Sequence, residues 1–136
     1  MTAAAANSLR KGLYDLLVAD GALAARLGGA RVYDEAPRNT PFPYVAMGDV
    51  RSSDWSTSTD VGAEHFVTID VWTLHHGVKE ALEIGALVTA AIEPGAISLT
   101  GQRLISIATR NVETRRENSG RHARARLTFR AVTERI

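Results

Sequence analysis

The sequence predicts an α+β fold in which two main helices pack on a mainly antiparallel sheet of four or five strands. Three observations lead to this fold class. Apolar residues recur with helical spacing in two segments, later segments alternate apolar and polar residues, and turn-forming residues separate those segments. The 136 residues are 45% hydrophobic and 23% charged, which is typical of one globular domain. We therefore expect a single domain over residues 1–136.

The first predicted helix is marked by leucines that lie on one side of a 3.6-residue period. These residues are Leu9, Leu13, Leu16 and Leu17. Asp20 is suited to begin a second, short helix that runs to about Leu27, because its side chain can accept a hydrogen bond from a free backbone N–H. Gly28 and Gly29 then end that helix.

The helix predicted over residues 78–93 has more apolar surface than one sheet needs to cover. One stripe consists of Val78, Ala81, Leu82, Gly85, Val88 and Ile92. A second stripe consists of Ile84, Leu87 and Ala91. Two interpretations stay open for the second stripe: deep burial within the chain, or a contact with another subunit.

Strands are predicted where β-branched and aromatic residues concentrate. A short strand over 31–34 precedes a loop over 35–42, because prolines remove backbone donors there, and Pro43 fits only the beginning or edge of a strand. Strands over 44–51 and 64–75 form a hairpin around residues 52–62, which we expect to be a long exposed loop because Ser, Thr and Asp dominate it.

A second hairpin is predicted at the end of the chain. Its strands cover 103–114 and 121–133, and the triplet Asn118-Ser119-Gly120 between them favours a turn.

Charge is distributed unevenly along the chain. Residues 101–136 contain nine arginines and three glutamates, whereas residues 1–100 contain seven basic and twelve acidic residues. In a protein that stacks in rings, such an arrangement would supply complementary surfaces for neighbours.

The last strand has an apolar side and a cationic side that carries Arg124, Arg126 and Arg130. One interpretation is a solvated face with cross-strand ion pairs to residues such as Glu113 or Glu117. The alternatives are contact with an acidic partner ring or with DNA. This strand face has no aromatic residues to stack on bases, so a DNA contact would involve phosphate and no sequence reading.

Trp55 is a large aromatic residue within the polar segment between the two strands of the first hairpin. It either folds back onto the sheet or anchors a neighbouring molecule. Trp72 lies in the middle of a strand, where we expect it in the core or on the sheet face.

No catalytic, cofactor or metal site is expected, so the protein is predicted not to be an enzyme. The chain has no cysteine. On an extended segment, the neighbouring side chains of His75 and His76 are expected to point in opposite directions, so they would not easily bind one metal together. Asp49, Asp54 and Asp60 lack the spacing of a calcium loop. The chain also lacks a G-x-S-x-G elbow and a glycine-rich phosphate loop.

The chain is not expected to enter a membrane. Its apolar runs are shorter than the roughly 20 residues that cross a bilayer. The amino terminus does not resemble a signal peptide, so synthesis in the cytosol is expected.

Several short motifs resemble, in their order, the tail terminator or tail-completion proteins of long-tailed phages, prophages and gene transfer agents. They are Asp20-Gly21, Gly28-Gly29, Val32-Tyr33-Asp34, Pro37 and Pro43-Tyr44-Val45, followed by the strand from His65 to Trp72, the helix after Gly77 and the arginine-rich final strand. The resemblance spans nearly the whole chain.

This resemblance implies a structural particle protein that forms a ring, expected to be a hexamer, on the head-proximal end of the tail tube. The ring would stop tube polymerisation and join the tail to a head-side connector or stopper protein, while DNA passes through its channel. The alternatives are another neck component, such as a head-tail joining or stopper protein, and a small ligand-binding domain or enzyme that uses the histidines.

Overall fold

The computed structural model describes residues 2–74, 78–117 and 121–136, and these residues form three helices and five strands. The elements are α1 (Thr2–Ala19), α2 (Gly21–Leu27), β1 (Val32–Tyr33), β2 (Tyr44–Asp54), β3 (Gly62–Thr73), α3 (Lys79–Ile92), β4 (Gln102–Glu117) and β5 (His122–Arg135). The strands form one sheet in the order β1-β2-β3-β5-β4. Only the β1–β2 pair among them is parallel, so the predicted α+β class with a mainly antiparallel sheet is confirmed.

The helices lie where the sequence predicts them, and α2 begins and ends at the expected residues. Leu9, Leu13 and Leu17 of α1 are fully or almost fully buried. The carboxylate of Asp20 accepts a hydrogen bond of 2.9 Å from the backbone N–H of Leu23 and so caps α2. Gly28 ends α2 with φ of 82°, a left-handed conformation that costs glycine little. Within the described residues, no helix combines the length and apolar character needed to cross a membrane.

The first hairpin is longer than the sequence suggests. β2 begins directly after Pro43, as expected, but it continues to Asp54, and β3 already begins at Gly62. The predicted long loop over 52–62 is therefore wrong, and the connection covers only residues 55–61. Polar residues enter the strand because Ser52 pairs with His65, and because Ser53 pairs with Glu64 on the other face of the sheet.

The second hairpin is confirmed by the pairing of β4 with β5, which reaches from Gln102 and Arg135 to Glu117 and His122. The predicted turn at Asn118-Ser119-Gly120 lies outside the described residues. Although β5 is last in the chain, it lies between β3 and β4.

The helices cover one face of this sheet, here called the inner face, and the core lies between the two layers. Alternate residues of β3 and β5 point into it. The fully buried side chains there include Val67, Ile69, Leu127 and Phe129. The opposite side of the sheet, here called the outer face, carries the arginines of β5.

Candidate interaction surfaces

The outer face is organised by ion pairs between β5 and β3. Arg126 donates two hydrogen bonds to Asp70, of 2.8 Å from Nε to Oδ1 and 3.1 Å to Oδ2. The hydrogen bond raises the pKa of Arg126 above its ordinary value. Burial, followed by the charge of Asp70, raises the pKa of Tyr44. Arg126 and Asp70 therefore form an ion pair whose geometry is fixed by two hydrogen bonds.

The other two arginines of the predicted surface are also paired. Nε of Arg130 lies 2.7 Å from Glu64, and Arg124 lies 3.6 Å from Glu117. The expected ion pair with Glu117 is confirmed. The sequence did not reveal the partners Glu64 and Asp70, because they become neighbours only when β3 pairs with β5. Each of the three arginines thus has a carboxylate partner, and Glu117 also lies 3.9 Å from Arg115.

Aromatic rings lie among these cations. Arg130 stands 5.6 Å from the ring centre of Trp55, and Arg124 stands 5.6 Å from that of Trp72. Trp55 therefore folds towards the sheet, yet 53% of its surface stays exposed. Trp72 lies on the sheet face, which is one of the two positions expected for it. Its ring stacks with that of Tyr44, and the two ring centres are 6.4 Å apart.

Two further arginines have no carboxylate partner among the described residues. Arg51 of β2 and Arg110 of β4 lie 5.1 Å and 6.0 Å from the ring centre of Phe66. Phe66 itself lies on β3, between the strands that carry them. The outer face thus presents two guanidinium groups that remain available to an external anion.

The predicted contact surface on α3 needs a correction at Ile84. This residue is fully buried in the core, so it is not available to a partner. The physical reason is that α3 packs against α1, α2 and the sheet, and these neighbours cover more of its circumference than a sheet alone. Leu87 and Ala91 are partly buried and pack against the same core.

The exposed apolar side of α3 instead faces β4. Leu82 is 41% exposed and Val112 of β4 is 45% exposed. An open groove between the two elements is lined by these two side chains together with Gly85, Ala86, Ala90 and Leu127. The sequence places Leu82 in the first apolar stripe, whose members Ala81, Val88 and Ile92 are fully buried. The four-residue spacing of Leu82, Ala86 and Ala90 indicates a separate apolar stripe on this helix.

Both edges of the sheet are largely open. β4 is an edge strand of 16 residues. Within the described part of the chain, no backbone hydrogen bond joins the free edge of β4 to another segment. At the opposite edge, β1 pairs only with Val45 and Ala46 of β2. Among the described residues, no strand pairs with residues 47–54 of β2 on this edge, where Arg10 donates a 3.1 Å hydrogen bond to the carbonyl of Gly48.

The side chain of His65 in β3 is fully buried on the inner face of the sheet, and this burial favours its neutral form. Its Nδ1 lies 2.6 Å from the hydroxyl of Ser52, and its Nε2 lies 2.9 Å from the hydroxyl of Thr133. Burial lowers the pKa of His65. In residues 2–74, 78–117 and 121–136, no three His, Asp or Glu side chains gather as a possible metal site. His75 and His76 lie outside these residues.

Comparison with known proteins gives this architecture a family. The sequence profile described as "Tail completion protein gp17" matches residues 11–134. The chain belongs to this tail completion family. Its structure is also similar to a chain of a solved particle described as "Virion of native gene transfer agent (GTA) particle", with a TM-score of 0.86 and 33% sequence identity. That match covers 96% of this chain and 97% of the other. No curated protein matches the chain.

The family match confirms the resemblance read from the ordered motifs. This tail completion protein is a structural protein of a phage or gene-transfer-agent tail. The paired arginines, the open edges and the exposed groove are therefore surfaces of a structural particle protein.

Proposed function

We propose that this protein forms a ring that caps the head-proximal end of the tail tube, stops tube polymerisation and joins the tail to the head. The observation that carries the proposal is the similarity over nearly the whole chain to the tail completion family and to a chain in a gene transfer agent virion. A ring of six copies is proposed on the family resemblance.

The shape of the sheet supports assembly into a ring. Its two open edges differ: one is the long strand β4, and the other is the free part of β2 beside α1. A contact between unlike surfaces joins copies head to tail, and it closes into a ring when the rotation between copies divides a full turn.

The proposed partners are the major tail-tube protein on one side of the ring and a head-side connector or stopper protein on the other. DNA passes through the channel without sequence recognition. Arg51 and Arg110 are available for contacts with phosphate, because neither has a carboxylate partner among the described residues. The protein is proposed to be made in the bacterial cytoplasm and assembled at the head-tail junction.

Trp55, Leu87 and Ala91 remain proposed contact residues, and Trp55 is the most accessible of them. Arg124, Arg126 and Arg130 also remain proposed. Their carboxylate partners are already in place, so a partner would meet a paired network with little net charge. Such a network favours specificity of docking over strong long-range attraction.

The proposal is tested by electron microscopy of particles from a strain with the gene deleted in frame. Termination predicts DNA-filled heads without tails beside unattached tubes of uncontrolled length. A copy of the gene supplied in trans should restore tailed particles, and a Trp55→Ala copy should restore fewer of them.

Two other outcomes would contradict termination. Tubes of normal length beside empty or leaking heads would favour the alternative neck component on the head side. Fully normal particles from the deletion strain would show that the protein is not needed to build the particle.

A further inference from the structure

We propose that neighbouring copies join by strand addition, in which the free edge of β4 in one copy pairs antiparallel with residues 47–54 of β2 in the next. This inference rests on the proposed ring and specifies its interface. In this arrangement, each open edge of the sheet is covered by another copy of the same chain.

The first argument is the length of the exposed edge. β4 presents 16 residues, and an uncovered edge of this length is a template for pairing with another strand. Two bulges interrupt β4, near Leu104 and near Thr109. Such irregularities restrict the registers in which a partner can pair, so they favour one specific neighbour.

The second argument is strand direction. β2, β3, β5 and β4 are antiparallel to their successive neighbours, so β2 and β4 run in opposite directions. A rotation about an axis roughly parallel to the strands keeps the direction of every strand. The β4 edge of one copy then meets the β2 edge of the next in antiparallel orientation, and the alternation continues around the ring.

The third argument is charge. Residues 102–112 of β4 carry Arg103 and Arg110 and no acidic residue, whereas residues 47–54 carry Asp49, Arg51 and Asp54. Following the strand pairing across the sheet places Arg110 level with the β2 bulge that contains Asp49. Cross-strand pairs of opposite charge stabilise adjacent strands.

The absence of cysteine from the sequence allows a direct test by disulfide cross-linking. Asp49→Cys is combined in turn with Arg103→Cys, Arg110→Cys or Arg115→Cys, three positions along the outer face of β4. Particles from each strain are treated with a mild oxidant and separated by non-reducing electrophoresis. At least one pair should give a ladder of multimers that ends at the mass of a closed ring.

Two controls separate this contact from other encounters. The single-cysteine variants should give no ladder, and Asp49→Cys combined with Glu80→Cys on α3 should give none. A strong dimer from Arg110→Cys alone would indicate β4 pairing with β4 of another copy and would overturn the proposal.

The test also separates failure of the interface from failure of the function. Tailed particles that contain the variant protein but yield no ladder from any of the three pairs would overturn the interface and leave ring capping intact. If a double variant yields no tailed particles, it is co-expressed with the unaltered protein so that mixed rings form. Cross-linked short multimers are then expected, and their absence from particles that contain the variant contradicts the proposal.

Discussion

At the scale of single residues, the pair of Arg126 and Asp70 on the outer face combines two hydrogen bonds with a buried carboxylate. Asp70 is only 7% exposed, and both of its carboxylate oxygens accept hydrogen bonds from Arg126. A carboxylate in such a position loses much of its hydration, so its partner contributes more than an exposed partner would.

Replacing Arg126 with Met should therefore destabilise the protein by about 1.5–3 kcal/mol, the range for hydrogen bonds to charged groups. The matched control is Arg103→Met, which breaks the more exposed pair with Glu134 and should cost less than about 1 kcal/mol. Urea unfolding at pH 7 measures both. Equal losses for the two variants would show that burial of Asp70 adds nothing to its pair.

His65 gives the fold a dependence on pH. Because burial lowers its pKa in the folded chain, the unfolded chain binds a proton at higher pH than the folded chain does. The stabilising contribution of neutral His65 is complete above the unfolded pKa of about 6.5 and is lost as pH falls below it.

The free energy of unfolding should thus fall more between pH 7.5 and pH 5.5 for the wild type than for His65→Gln, which does not titrate. His122→Gln is the control, because His122 lies at the partly exposed start of β5. Denaturant unfolding at the two pH values provides the comparison. The same pH dependence in the wild type and His65→Gln would assign the effect to other groups.

At the scale of elements, α3 shows how position on one helix separates core from surface. Ile84 is fully buried, whereas Leu82, two residues earlier, is 41% exposed beside the groove to β4. Both are large and apolar, so composition does not distinguish them. Their directions around the helix do, since two residues are about 200° apart on a 3.6-residue period.

Ile84→Asp should prevent folding or cost more than about 4 kcal/mol, because it places an unpaired carboxylate in the core. Leu82→Asp should cost about 1 kcal/mol or less. Circular dichroism with thermal unfolding compares the two variants. A folded Ile84→Asp protein with nearly normal stability would mean that Ile84 can reach solvent or a partner.

At the scale of the whole molecule, the sheet depends on β5, the last of the five strands in the chain. β5 pairs with β3 on one side and with β4 on the other. It also supplies a row of buried residues to the core: Ala123, Ala125, Leu127, Phe129 and Ala131. Folding therefore requires contacts between segments that are far apart in sequence.

A chain that ends after residue 120 should lack a cooperative unfolding transition, because it would expose the inner sides of β3 and α3. Removing Ile136 alone, which is 83% exposed, should change the stability by no more than about 0.5 kcal/mol. Thermal denaturation followed by circular dichroism tests both chains. Cooperative unfolding of the shorter chain would show that the remaining elements form a core without β5.

The sequence by itself determined the elements whose signals are local. Leucine spacing located α1, Asp20 and Gly28 set the ends of α2, and Pro43 set the start of β2, because periodicity, capping and missing backbone donors act within a few residues. The ordered motifs also pointed to the tail completion family.

Tertiary structure alone decided which surfaces stay free. The partners of Arg126 and Arg130 come from β3, and they lie 56 and 66 residues away in the chain. Ile84 became core because α1 and α2 cover α3 beside the sheet, and the strand order left β4 as an open edge. The physical reason is that pairing and burial depend on non-local contacts, which residue periodicity does not specify.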